Sequence, residues 1–200
     1  SRKMYRVAQE EMQSKSVDAV NTLHAVRQRA ITGGWRIFYA RKPDGSGWAA
    51  PREVGDSSQF SNQSALAVDF TTGTPHIAYR ANYASNDEIV VAKDSAGSWR
   101  RLRLTTNSTQ DLAPTITVDS LGRVHVAWIG QDASSNWKIM YATNTGGGWQ
   151  AQLLTMSELG QFGSGALPFI AVTSSGRTHI FYRGGSYTDG GAFLFNLEKD

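Results

Sequence analysis

The feature that most constrains this chain is a phrase of about 50 residues that occurs three times. Each copy carries one tryptophan and one histidine at matching places, namely Trp48, Trp99 and Trp149, and His76, His125 and His179. Glycine contributes 20 of the 200 residues and aromatic residues 10%, which suits many short strands joined by tight turns. Period and composition together predict an all-β fold, and the four-stranded blade of a β-propeller fits the length best.

Alternation and turn residues predict where the strands lie. In the clearest copy we expect strands at 115–119, 123–129, 138–143 and 149–155. The copy before it shows the same four-part pattern. The first copy has strands three and four only, and the last has strands one to three only. The sequence therefore predicts thirteen strands, which do not divide into whole four-stranded blades.

A propeller has to close on itself, because exposed strand edges invite aggregation. Three solutions are open for this chain. It can be part of a longer propeller, two chains can complete each other by exchanging strands, or a small ring can close with a helix covering the gap. We favour a propeller that is completed by a second copy in a homo-oligomer or by a partner chain.

The N-terminal segment differs from the rest of the chain. Residues 1–30 contain no glycine or proline and are rich in helix formers. Apolar residues recur there at roughly helical spacing, namely Tyr5, Ala8, Met12, Ala19, Leu23, Val26 and Ala30. The sequence thus predicts a long N-terminal α-helix over 1–32, which either packs on the propeller or serves in docking, oligomerisation or anchoring.

The remainder is predicted to form one repeat domain over 35–200. The boundaries of its repeats are expected at about 36–87, 88–137 and 138–190, with the start of a fourth at 191–200.

Composition excludes several classes of function. The chain has no cysteine, which excludes disulfides, thiolate metal sites and cysteine nucleophiles. The net charge is only +3 and there is no long run of Lys or Arg, so we expect no nucleic-acid partner. No apolar run reaches about 18 residues. Contact with a membrane is therefore expected only through a segment absent from this chain.

One rim of loops carries the candidate ligand-binding residues. Loops leading from strand four of one copy into strand one of the next hold Gln59, Phe60, Gln110, Asp111, Gln161 and Phe162. The facing loops hold Asn82, Tyr83, Asp132, Tyr187 and Asp189. Amide, carboxylate and aromatic groups on one rim are what a sugar pocket needs. The alternative, that the glutamines cap backbone groups between blades, stays open.

The residues of the repeats resemble those of bacterial secreted β-propellers, including sialidase-type Asp-box repeats and propeller lectins. The resemblance rests on 67–79, 118–128 and 171–182, and on the turns that end at the three repeated tryptophans. It implies a propeller fold over 35–197, a structural role for the tryptophans, and a glycan or surface polysaccharide as partner. It also implies an extracellular or cell-surface location.

An enzymatic function is not expected. Sialidase chemistry would need three arginines gripping a carboxylate, whereas Arg80 and Arg183 are matched by Ile129 in the middle copy. Motifs for other hydrolases, phosphate-binding loops and calcium loops are absent. The repeated histidines lie one per blade, so we expect them to be structural, with no metal and no cofactor.

Two classes of function therefore remain. One is a non-catalytic carbohydrate-binding or adhesive propeller. The other is an interaction scaffold or filament subunit, with the predicted helix as its assembly element and the propeller as a displayed head. The repeated rim residues favour the first class.

Overall fold

The computed structural model describes residues 14–84, 86–145, 147–154, 167–184 and 193–199. Fifteen strands occur in this part of the chain and no helix. They are β1 (Ser14–Val17), β2 (Leu23–Ile31), β3 (Gly34–Lys42), β4 (Arg52–Glu53), β5 (Ser61–Val68), β6 (Pro75–Tyr83), β7 (Asn86–Ser95), β8 (Ser98–Arg103), β9 (Asp111–Val118), β10 (Val124–Gln131), β11 (Trp137–Thr143), β12 (Gln150–Leu154), β13 (Phe169–Val172), β14 (Thr178–Gly184) and β15 (Phe193–Lys199).

The strands form four antiparallel sheets, each built from consecutive strands. Blade 1 has the order β1-β2-β3-β4, blade 2 β5-β6-β7-β8, blade 3 β9-β10-β11-β12 and blade 4 β13-β14-β15. The predicted all-β fold of four-stranded antiparallel sheets is confirmed. We call the end of the blades at which β6 connects to β7, and β8 to β9, the upper rim. The lower rim is the opposite end, at which β5 turns into β6 and β7 turns into β8.

Alternation along the strands places one apolar core between each pair of neighbouring blades. Ile77 and Tyr79 of β6 lie in the core shared with blade 1, whereas Ala78 between them lies in the core shared with blade 3. Trp128 fills the second core and is fully buried, and Tyr182 belongs to the third. Both faces of blades 2 and 3 are therefore covered, as sheet-on-sheet packing requires.

The predicted N-terminal helix is wrong for residues 14–32. These residues form β1, β2 and the start of the turn into β3. Blade 1 is therefore a complete four-stranded sheet, and the described residues form fifteen strands where thirteen were expected. An exchange of strands between two chains was expected because the first blade was predicted to be incomplete, and that reason no longer applies. Residues 1–13 lie outside the described residues.

The turn between β1 and β2 shows why this copy of the repeat was missed. Asn21 has φ 58°, at the position where blade 3 has Gly122 with φ 74° and blade 4 has Gly176 with φ 88°. Asparagine is one of the few residues other than glycine that readily adopts this left-handed conformation. The glycine that marks the turn elsewhere is absent here, and the segment consequently reads as helical.

Blade 1 also carries a histidine at the repeated position, His24, and both His24 and His125 of blade 3 are structural. In blade 3, His125 contacts the Tyr141 hydroxyl through Nδ1 at 2.6 Å and Asp119 through Nε2 at 3.2 Å. His24 of blade 1 makes the corresponding contacts, 2.7 Å to Tyr39 and 3.2 Å to Asp18. In each of these two blades, the chain of polar groups joins the first turn to the second and third strands at the lower rim.

Two of the three repeated tryptophans, Trp99 and Trp149, pack against the cores. Trp99 packs against the core between blades 1 and 2, where its ring meets Tyr39 edge-on at 5.3 Å. Arg52 of blade 1 lies over the Trp99 ring and donates to Gly97 O at 2.7 Å and to Asp94. Trp149 packs against the next core. The turn before Trp99 therefore holds neighbouring blades together.

Candidate functional site

The upper rim of blade 2 brings together more of the candidate residues than any other described part of the chain. Three segments meet there: the loop 54–60 before β5, the turn after Tyr83, and the loop 104–110 before β9. Strand β5 has a bulge at Gln63, with φ 49°, and Ala113 has φ 51° at the same place in β9. The Gln63 side chain accepts from Ala113 N at 3.0 Å, which ties the innermost strands of blades 2 and 3 together.

Phe60 is the exposed aromatic residue of this rim. Its side chain is 53% exposed, and its ring lies directly on the backbone of Gly34. A Cβ on Gly34 would lie 1.9 Å from Phe60 Cδ1, and the φ of Gly34 is +132°, so only glycine allows the ring this place. Trp35, which follows Gly34, is 44% exposed. A large apolar surface is thus displayed at the junction of blades 1 and 2.

A network of planar polar groups lies on the same rim as Phe60 and is linked to it through the backbone. The backbone N–H of Asn82 donates to Phe60 O at 2.9 Å, and the Asn82 amide donates to Asp87 Oδ1 at 3.1 Å. Arg80 donates through Nε to Asn62 Oδ1 at 2.7 Å and forms an ion pair with Asp87 at 3.3 Å. The side chains of Arg80 and Asp87 are 26% and 17% exposed. Amide, guanidinium and carboxylate edges are therefore fixed but still reachable by solvent.

Tyr83 belongs to a second, more enclosed cluster. The Arg103 guanidinium lies 4.3 Å from the centre of the Tyr83 ring and donates to Glu88 Oε1 at 2.6 Å. Burial raises the pKa of Tyr83 above its ordinary value, although the Arg103 cation acts in the opposite direction. One face of the ring is thus occupied by a cation, so Tyr83 is a weaker platform for a sugar than Phe60.

Asp111 lies beneath the rim. It is 1% exposed and accepts from Trp128 Nε1 at 2.7 Å and from Asn107 Nδ2 at 2.8 Å. Burial raises the pKa of Asp111 to about 6, and the nearby Glu88 carboxylate adds to this. Glu88 itself is fully buried and accepts from Thr105 Oγ1. The two carboxylates tie loop, strand and core together and have no open path to a ligand.

The repeated glutamines are not equivalent in the structure. Gln131 N donates to Gln110 O at 3.0 Å, as Asn82 N does to Phe60 O at 2.9 Å. Gln110 therefore corresponds to Phe60, and Gln59 corresponds to Thr109. Gln59, Gln110 and Gln161 are spaced 51 residues apart in the sequence. Gln59 and Gln110 are nevertheless not equivalent, because the loops before β5 and β9 differ by one residue relative to their strands.

The contacts of Gln59 lie within its own loop and with Arg36 of blade 1. Arg36 Nη1 donates to the Gln59 carbonyl at 3.0 Å, and the Gln59 amide contacts Ser58 Oγ at 3.4 Å. The capping of backbone groups between blades is carried out by Gln28 and Gln63, since Gln28 Oε1 accepts from Gln63 N at 3.0 Å.

Asp132 is a turn cap in the β10–β11 loop of blade 3. Its Oδ1 accepts from Ser134 N and from Asn136 N, each at 2.9 Å. These backbone donors, Asn136 first, lower the pKa of Asp132. The remaining candidates lie outside the described residues, namely Gln161, Phe162, Tyr187 and Asp189.

Two further features bear on chemistry at this site. Within the part of the chain that the structure describes, no group of three or more His, Asp and Glu residues could hold a metal ion. In the four blades, the position four residues after the histidine holds Gln28, Arg80, Ile129 and Arg183, so two of these four positions carry arginine. The arrangement is thus suited to holding hydroxyl groups and an apolar ring face, with Asn62, Arg80 and Asp87 as residues that sequence analysis did not select as site residues.

Comparison with known proteins defines the fold. No protein-family model matches the chain, and no curated protein matches its sequence. A Hadza microbial sialidase superposes with a TM-score of 0.67 at 12% identity, over 94% of this chain and 44% of the sialidase. An ulvan lyase superposes with a TM-score of 0.65 at 11% identity, over 92% of this chain and 51% of the lyase. An endo-arabinase from Bacteroides thetaiotaomicron superposes with a TM-score of 0.58 at 12% identity, over 93% of this chain and 73% of the arabinase.

These similarities establish an all-β array of propeller type. The chain spans about half the length of the sialidase and of the ulvan lyase. The likeness to Asp-box repeats remains a resemblance, because no family model matches. No helix among the described residues is long and apolar enough to cross a membrane.

Proposed function

We propose that this chain is a non-catalytic carbohydrate-binding module of propeller type, secreted or at the cell surface, which binds a glycan or surface polysaccharide on the upper rim of blade 2. The observation that carries the proposal is the exposed ring of Phe60, fixed on Gly34 and joined through its carbonyl to Asn82. A sugar presents an apolar face and a set of hydroxyls, and this rim offers both an apolar ring and fixed polar edges.

The polar groups are suited to hydroxyl recognition because they are held in place before a ligand arrives. Asp87 is fixed by Arg80 and by Asn82, and Asn62 is fixed by Arg80. Partly exposed amide and carboxylate groups retain lone pairs and protons for a ligand. Preorganised side chains lose less conformational entropy on binding, which favours affinity.

The buried carboxylates support a binding role over catalysis. A general acid must come within hydrogen-bond reach of the bond that it cleaves. Asp111 has a raised pKa, but both of its oxygens are engaged by protein donors and its side chain is 1% exposed. Glu88 is fully buried and bonded to Arg103. These two groups therefore serve the fold of the rim.

A glycan array with the intact chain tests the proposal, followed by titration of the best glycan. We expect Phe60→Ala to weaken binding about tenfold, because covering one aromatic side chain contributes on the order of 1.5 kcal/mol. Phe70→Ala is the matched control, since Phe70 is 63% exposed at the opposite end of the same blade. Asn82→Ala, which removes the amide that donates to Asp87, should also weaken binding.

The outcomes separate clearly. Selective binding that Phe60→Ala loses and Phe70→Ala keeps would support the site. A folded protein that binds no glycan would overturn the proposed function, and equal loss in both phenylalanine variants would move the site away from this rim. Release of reducing sugar from the bound glycan would contradict the non-catalytic assignment.

A further inference from the structure

Three exposed apolar residues occupy the innermost turns of consecutive blades at the lower rim. Val20 is 72% exposed in the β1–β2 turn, Phe70 63% in the β5–β6 turn and Leu121 74% in the β9–β10 turn. We call them the lower-rim tips. Leu23 beside them is 43% exposed. Large apolar side chains that recur exposed at one place in successive repeats mark a surface that is covered by something.

The turns that carry the tips form one continuous surface. Ala19 N donates to Phe70 O at 3.0 Å, which joins the first turn to the second. A Cβ on Gly73 of the second turn would lie 2.9 Å from Asp18 Oδ2 of the first. A Cβ on Gly122 of the third turn would lie 3.4 Å from Asp69 Oδ2 of the second. The tips thus belong to a single patch.

The backbone N–H groups of two tips, Val20 and Leu121, are already satisfied by hydrogen bonds within their own turns. Asp18 Oδ1 accepts from Val20 N at 3.0 Å and from Thr22 N at 2.8 Å. Asp119 Oδ1 accepts from Leu121 N at 2.9 Å in the same way. Burying an unpaired N–H in an apolar medium is costly, so this arrangement lowers the cost of removing the tips from water.

Cations without acidic partners lie at the lower ends of the outer strands. Lys93 and Arg100 are exposed and directly opposite each other on β7 and β8, and like charges so placed repel. Arg41 and Lys42 end β3, and Lys42 is opposite Leu23 on β2. None of the four forms an ion pair with any residue that the structure describes. A negatively charged surface would remove the repulsion.

We propose that the lower rim docks on an anionic lipid bilayer, with the lower-rim tips inserted at the boundary of headgroups and acyl chains and the four cations against the headgroups. Shallow insertion of apolar side chains and attraction to anionic lipids act together in such binding. The proposal is independent of the glycan site, which lies at the opposite rim. Sequence alone predicted contact with a membrane only through a segment outside this chain.

Charge decides between this occupant and a second copy of the chain. Two lower rims facing each other would bring together the four cations of each copy, which have no ion-pair partner among the described residues, and this disfavours such a dimer. The three tips project from separate turns whose backbone groups near the tips are already bonded. A bilayer therefore suits them better than a protein partner recognised through hydrogen bonds.

Co-sedimentation of the intact chain with vesicles tests the proposal. We expect binding to vesicles of phosphatidylcholine with phosphatidylglycerol, weaker binding as salt rises, and little binding to phosphatidylcholine alone. The triple variant Val20→Ser, Phe70→Ser, Leu121→Ser and, separately, Lys93→Glu with Arg100→Glu should each bind at least about tenfold more weakly. Phe60→Ala, on the upper rim, is the matched control and should bind as the unchanged chain does.

Each result bears on the proposal. Loss in both lower-rim variants with retention in Phe60→Ala supports it. Absence of binding to the anionic vesicles overturns it. Binding that depends on the cations but not on the tips also overturns it, because it would be surface attraction without insertion. Self-association through the lower rim, detected by sedimentation velocity and abolished in the triple variant, would instead assign the surface to a second copy.

Discussion

Asp111 makes the stability of this protein depend on pH in a way that a single substitution can isolate. Burial raises the pKa of its carboxyl group from the ordinary 3.8 to about 6 in the folded chain. The folded state therefore holds this proton more tightly than the unfolded state. Its contribution to stability is fully present below pH 3.8 and is lost as the pH rises to about 6.

The expected size of this effect follows from the difference between the two pKa values. That difference corresponds to about 3 kcal/mol of folding free energy, lost from the unchanged chain between about pH 3.8 and 6. Asp111→Asn removes the titration and keeps an acceptor for Trp128 Nε1. The new amide also faces Asn107 Nδ2, which adds a cost that does not change with pH.

Urea denaturation followed by tryptophan fluorescence, at half-unit steps from pH 3.5 to 7.5, measures the effect. We expect the free energy of unfolding of Asp111→Asn, relative to the unchanged chain, to rise by about 3 kcal/mol across this range. Asp119→Asn is the control with opposite sign. Backbone and side-chain hydrogen bonds outweigh the burial of Asp119 and lower its pKa, so its substitution should cost most near neutral pH and least in acid. A constant difference for Asp111→Asn across the range would refute the reasoning.

Two further substitutions test how the fold and the site are held. Gly34→Ala should destabilise the chain by more than about 1 kcal/mol and displace the Phe60 ring, because the new Cβ would lie 1.9 Å from Phe60 Cδ1. Gly33→Ala is the control, since Gly33 has a φ of +93° and a Cβ there would have nothing within 4 Å. Comparing the two variants in thermal denaturation separates the backbone strain from the clash. Tyr141→Phe should lower the free energy of unfolding by about 1 kcal/mol through loss of the hydrogen bond to His125. An unchanged unfolding curve for Tyr141→Phe would show that this hydrogen bond contributes nothing net.

Much of the fold was predictable from the sequence because its signals are local. Alternation in 124–128 and the glycine turns fixed the strands of blade 3 close to their observed bounds. Trp128 lies at an apolar position of the same alternation and is completely buried. Blade 1 was missed since Asn21 replaces the turn glycine and since the segment contains no proline or glycine.

The candidate site was predictable only in part. Phe60 and Asn82 lie at the same end of blade 2, because the order of strands determines which loops share an end of a blade. Asp111 was selected as a rim residue too, yet it points into the interior, where it accepts from Trp128. One residue of offset in a loop moves Gln59 and Gln110 to different structural positions, and spacing along the sequence does not register it.

Periodicity along the chain, by itself, determined that this protein is an array of antiparallel four-stranded sheets, since period, alternation and turn chemistry each act over a few residues. Tertiary structure alone decided which polar groups are reachable and which are sealed between blades. Exposure depends on contacts between residues far apart in sequence, such as Phe60 on Gly34 and Ala19 on Phe70. The two surfaces proposed here, at the upper and lower rims, exist only because packing of the blades brings such residues together.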